Sequence, residues 1–129
     1  MEQRMNAIDK YESFHDWYLI GAEVDLAQRR VVLNVLFDNR KDRARIVLSG
    51  ATRCLMRDFL IQNIILSTKV LADFGSDEYC AALAALDKSY PWGRNRPHKS
   101  IVSIEATLGA ELLIECDSFE VEPLESEAS

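Results

Sequence analysis

The sequence predicts an α+β fold: a predominantly antiparallel sheet of about seven to eight strands, with one main helix at about residues 76–89. Three observations predict it. Apolar and polar residues alternate with period two through most of the chain from Tyr18 onward. The links between most of these runs are of hairpin length, too short for the crossovers that parallel strands require. One stretch, Ser76–Tyr90, switches to helical spacing. A partly closed barrel and a two-layer sandwich both satisfy this pattern.

In the first run Tyr18, Ile20, Ala22 and Val24 fall on one face, with Glu23 and Asp25 opposite. A polar link, Leu26–Arg30, leads to Val31–Asp38, where Val31, Leu33, Val35 and Phe37 share a face. After the Asn39–Arg43 turn, Ala44, Ile46 and Leu48 alternate with Arg45, Val47 and Ser49. Gly50 suits the positive φ of a tight turn before Arg53–Asp58, in which Cys54 and Met56 oppose Arg53, Leu55 and Arg57. Phe59–Asn63 breaks the alternation with three consecutive apolar residues, which predicts a bulge or irregular crossing before the strand Ile64–Leu71.

Ser76 is a natural N-cap, and Asp77 and Glu78 complement the positive end of the helix dipole. Tyr79, Leu83, Leu86 and Tyr90 recur on one helical face, read as core packing against the sheet, and Pro91 forbids continuation. Beyond the loop Trp92–Ser100, Val102, Ile104, Ala106 and Leu108 share a face. Gly109 offers a turn, and Ala110, Leu112, Ile114 and Cys116 follow, with Glu111, Glu115 and Asp117 opposite. The inward positions then change from even to odd at Phe119 and Val121, predicting a bend at Asp117–Ser118. Pro123 is expected to end the strand, leaving residues 123–129 as a frayed acidic tail.

With 129 residues, 48% of them hydrophobic, the chain is expected to form one domain over 1–129 without a disulfide or metal staple. Its apolar runs are far shorter than the ~20 residues that span a bilayer, so no membrane association is expected. Met1–Tyr11 is polar and mixed in charge, unlike a secretory leader. Cys54, Cys80 and Cys116 are an odd, widely spaced set, expected to be small buried hydrophobes in a reducing, cytoplasmic setting. Up to residue 114 acidic and basic side chains balance. The net charge of −6 comes from Glu115, Asp117, Glu120, Glu122, Glu125 and Glu127. That bias argues against nucleic acid and favours a basic protein partner.

No catalytic, cofactor-binding or metal-binding residues, and no cofactors, are expected. The only histidines are His15 and His98, no G-x-S-x-G elbow is present, and the cysteines are too far apart for a zinc site. The five glycines form no phosphate-binding loop. His15-Asp16, beside Phe14, Trp17 and Tyr18, is read as a helical turn docked on the sheet. Glu111 and Glu115 are read as outward and too exposed for a general acid. Two basic segments remain: Arg40–Arg43 with Arg45 at a hairpin tip, and the loop after the helix, where Trp92 mixes with Arg94, Arg96, His98 and Lys99. Tryptophan and arginine dominate interface hot spots. The candidate partner-binding residues are therefore Trp92, Arg94, Arg96 and His98 in that loop, and Glu120 and Glu122 in the acidic stretch.

Phe14-His15-Asp16-Trp17-Tyr18 running into a first strand, and Leu108–Cys116 running into Phe119-Glu120-Val121, resemble segments of small strand-rich bacterial proteins. Some of these are grouped with the immunity proteins of polymorphic toxin and contact-dependent inhibition systems. The resemblance implies a non-enzymatic binder that occupies a toxin domain. It carries no catalytic residue over.

The expected function is thus a non-enzymatic protein-binding module, in its most specific form an immunity protein that neutralises a toxin domain. The alternative is a small ligand-binding or enzymatic barrel-like domain built around His15, Asp16, Trp17 and Tyr18. Homo-oligomerisation through a strand edge, or through Leu19, Val47, Leu55 and Leu113 as outward apolar residues, is compatible with either.

Overall fold

The computed structural model describes residues 14–90 and 97–124. Eight strands and one helix are present among them. They are β1 (Tyr18–Asp25), β2 (Arg30–Leu36), β3 (Arg43–Ser49), β4 (Arg53–Arg57), β5 (Ile64–Leu71), α1 (Asp77–Ser89), β6 (Ser100–Leu108), β7 (Glu111–Cys116) and β8 (Ser118–Leu124). All strand pairs are antiparallel, in the order β4-β7-β6-β5-β1-β2-β3-β8.

Two features bring the halves of this sheet together. The join between β5 and β1 is short, a single Tyr18–Ile64 pairing flanked by Leu19 N–H to the Asn63 carbonyl and Ile65 N–H to the Trp17 carbonyl, both 2.9 Å. On the other side β7 and β8 are separated only by Asp117. The chain pairs with β4 and β6 before that residue and with β3 after it. Asp117 donates its N–H to the Ser49 carbonyl at 3.0 Å, which fixes the bend. The sheet is not a closed barrel, because the end strands β4 and β8 do not pair with each other.

Both halves turn their alternating apolar residues to one shared core. Leu33, Val35, Ile46 and Leu48 from one half meet Val102, Ile104, Leu112 and Ile114 from the other, all essentially inaccessible to water. Each such side chain contributes roughly 1.5–3 kcal/mol of burial, so this face holds the fold. The change of inward parity expected at Asp117–Ser118 is present: Cys116 and Phe119 are both buried in this core.

Helix α1 covers the outer face of the β4–β5 half. Ser76 caps it by accepting the Tyr79 N–H at 3.1 Å, and Lys88 stands in its last turn. Tyr79, Ala82 and Leu86 pack on Leu71 and Ile101, with Leu55, Leu83, Tyr90 and Leu113 around them. The expected helix stripe is therefore the one observed.

Several expectations are corrected. In β1 the core-facing residues are Leu19 and, past a register shift between Leu19 and Gly21 that reverses the pleat, Ala22 as expected, while Ile20 and Val24 are exposed. Leu19 and Val47 are buried and Leu55 and Leu113 lie under α1, so these four form no outward apolar surface for self-association. Met56 and Leu108, expected inside, are partly exposed near strand ends, and Cys80, expected to be buried, is exposed on α1. Glu115, expected to be exposed, is buried. Strand β8 continues through Pro123 to Leu124, with Pro123 opposite Ala44. Because β8 ends the sheet, a proline whose nitrogen faces outward forfeits no ladder bond. Residues 125–129 of the expected tail lie outside the described residues. No helix among the described residues is long and apolar enough to cross a membrane.

Candidate functional site

Two constructions stand out: a buried ion cluster under α1 and a braced apolar loop after β4.

The ion cluster begins with Arg53, which β4 points at the helix side of the sheet, where only 3% of it remains exposed. Its Nε and Nη2 donate to Glu115 Oε1 at 3.1 Å and Oε2 at 2.8 Å, the side-by-side geometry that best matches a guanidinium to a carboxylate. Its Nη1 donates to Asp87 Oδ1 on α1 at 2.7 Å, and the Thr52 hydroxyl donates to Glu115 Oε1 at 2.6 Å. Burial pushes the Glu115 carboxyl up, but the hydrogen bonds from Arg53 and Thr52, with the charges of Arg53 and Lys99, outweigh it and hold the pKa below the usual carboxylate range. The Glu115 hydrogen bond likewise leads the effects that raise Arg53, against the cost of burial. Every member of the cluster is engaged, and the lowered Glu115 carboxyl is not poised for proton transfer near neutrality. The cluster ties α1 to the β4–β7 edge.

The loop that follows β4 is of another kind. Ile61 is fully exposed and Phe59 and Leu60 are about half exposed, although all three are large and apolar. Beneath them Asn63 is 2% exposed. Its Oδ1 accepts from Leu60 N–H and Ala110 N–H, both at 2.9 Å, and its Nδ2 donates to the carbonyls of Leu60 at 2.9 Å and Leu19 at 3.3 Å. One buried amide thus fastens the loop to both β1 and the start of β7. Gly109, at φ +86°, lets the β6–β7 turn approach this amide closely. The apolar triplet was visible in the sequence as a break in alternation; of the bulge or irregular crossing expected there, the structure forms an irregular, presented loop.

No protein-family model and no curated protein matches this chain.

Of the residues singled out in the sequence, Trp92, Arg94 and Arg96 lie outside the described residues. His98 packs beside Phe74 and Tyr79, with ring centroids 5.5 and 5.9 Å away, while the Tyr79 hydroxyl donates to the Lys99 carbonyl at 2.7 Å. Glu120 and Glu122 are exposed on β8, opposite Val47 and Arg45, with Glu122 4.0 Å from the Arg45 guanidinium. His98 and the two glutamates therefore sit in different surroundings, one against the helix and the others along the end strand. The His15–Tyr18 cluster also divides. Trp17 packs inward between Phe14 and Phe37, whereas His15 and Asp16 stay outside, with His15 Nδ1 2.9 Å from the Leu66 carbonyl. At the β2–β3 tip Arg40 lies over the Tyr18 ring, 5.9 Å from its centroid. Cys54 is half-buried on β4, and burial pushes its thiol up, away from the reactive thiolate. Among the described residues no group of three His, Cys, Asp or Glu side chains is placed to hold a metal ion.

Proposed function

We propose that this chain is a non-enzymatic protein-binding module, and that the Phe59–Ile61 loop is the centre of its contact surface. The observation that carries the reading is the brace: a buried asparagine spends four hydrogen bonds holding three apolar side chains out in water. Folding gains nothing from exposing them, whereas a rigid apolar anchor gives up little freedom when a partner covers it. The scaffold is read as a partly closed barrel carrying this loop at its margin. The resemblance to immunity proteins supplies the most specific form of the reading, in which the partner is a toxin domain. The net charge of −6 supports a basic partner, and the exposed Glu120 and Glu122 are proposed as a secondary contact.

Tagged wild-type protein and an Ile61→Asp variant, purified from the native host, test the proposal. A stoichiometric protein retained by the wild type and lost by the correctly folded variant is the expected result. Equal retention by both, or no protein retained by the wild type, overturns it.

A further inference from the structure

A cleft of about 750 Å³ opens where the β1–β2 turn meets the link between β3 and β4. The two segments are joined there by the Ala51 N–H donating to the Arg29 carbonyl at 2.8 Å. Its volume lies within the range of about 300–1,000 Å³ that small-molecule sites occupy. Three of the molecule's exposed large apolar side chains, Val24, Leu26 and Met56, line this one concavity.

The charge in the same walls is positive, against the acidic balance of the whole chain. Arg29, Arg30 and Arg53 face a single carboxylate, Asp25. Arg53 is fully taken by Glu115 and Asp87. Arg30 is not: its Nη2 lies 3.9 Å from Asp25, beyond hydrogen-bond distance, and its side chain, 42% exposed, lines the cleft. An exposed guanidinium with no hydrogen-bonded carboxylate offers its outer donors to an anionic oxygen. Arg29 holds a left-handed backbone, φ +52°, at the turn that sets both arginines in the wall.

We infer that this cleft binds a small amphipathic monocarboxylate, its head group accepting from Arg30 and its apolar body lying against Val24, Leu26 and Met56. A bare anion would leave the apolar walls wet, and a neutral apolar molecule would gain nothing from the Arg30 guanidinium. The cleft shares no residue with the Phe59–Ile61 loop, so its test stands apart from that of the protein-binding reading.

Octanoate is the probe, followed by amide NMR titration of the full chain, with 1-octanol and inorganic phosphate as comparison arms. The expected result is saturable octanoate shifts confined to residues 24–31 and 51–56, with 1-octanol and phosphate each weaker by about tenfold or more, the loss of one charge-assisted hydrogen bond. Arg30→Gln is expected to weaken octanoate by a similar factor. Leu26→Ser, at an exposed position that does not threaten folding, is expected to weaken octanoate and 1-octanol in parallel. Absence of saturable octanoate shifts, equal binding of octanoate and 1-octanol, or octanoate binding unchanged in both variants overturns the proposal.

Discussion

Arg53 and Glu115 face each other across the β4–β7 pair, joined by two hydrogen bonds of 2.8 and 3.1 Å and almost wholly shielded from water. A third bond, from Arg53 to Asp87, reaches the helix, so one guanidinium holds two elements that are distant in the chain. Such a pair is costly to desolvate, and removing one member strands the other. Glu115→Ala or Arg53→Ala is therefore expected to lower stability by about 3–5 kcal/mol in urea unfolding. The double replacement Arg53→Met with Glu115→Leu is expected to recover much of that loss. Recovery in the double variant separates the stranded-charge cost from a general packing defect.

The same pair sets an acid limit. The Glu115 pKa is held down in the folded state, so its contribution is full above the ordinary carboxylate range and is lost as pH falls through the folded value. Thermal midpoints measured from pH 7 down to about pH 3 are expected to fall steeply below the normal carboxylate range. A Glu115→Gln variant is expected to start lower and to decline less over the same interval. Parallel declines would assign the acid sensitivity to other carboxylates.

Two glycines with positive φ are expected to respond differently to alanine. At Gly50 an added Cβ falls on the Asp117 side chain, on its carboxylate and within 2.9 Å of its Cβ, so the whole exposed side chain must shift. Gly50→Ala is expected to cost about 1–2 kcal/mol of left-handed strain, together with the displacement of the Asp117 side chain. At Gly109 the Cβ strikes Asn63 Oδ1 and comes within 3.0 Å of the Gln62 carbonyl and 3.1 Å of Asn63 Cα, atoms that cannot swing aside. Gly109→Ala is expected to cost more than Gly50→Ala, by about 1–3 kcal/mol for each asparagine-held backbone group set loose. Calorimetric melting of the two variants side by side checks the order.

Tyr90 guards the open edge of β4. Its hydroxyl accepts from the Cys54 N–H at 3.0 Å and donates to the Cys54 carbonyl, occupying the edge backbone groups of that residue, which another strand would otherwise use. Tyr90→Phe is expected to lower stability by about 1–3 kcal/mol. It is also expected to raise concentration-dependent self-association, read by light scattering. A variant that loses stability but stays monomeric at all concentrations confines the hydroxyl's role to folding.

Strand content and the helix were legible because both rest on local periodicity. The ranges of β3 and β5, the Ser76 cap and the bend at Asp117 follow from a pattern that neighbouring residues complete among themselves. The inward face of β1 was legible at Ala22 but not at Leu19, since the register shift between them reverses the pleat and leaves no mark in composition. Glu115 was misplaced for a related reason. Alternation correctly put it on the face away from the sheet core, but that face is covered by a helix whose docking the alternation does not encode. The apolar triplet Phe59–Ile61 was visible as an anomaly, while the Asn63 brace joins residues up to 47 positions apart.

By itself the sequence determined which segments are extended, which one is helical and which residues are apolar enough to be buried, because these depend on side chains a few positions apart. Only the tertiary structure decided which polar groups meet, since Arg53 finds Glu115 and Asp87, and Asn63 finds Leu19 and Ala110, through strand order and helix placement. Those long-range partners convert charges and amides that look solvated in the sequence into a buried clamp and a rigid loop.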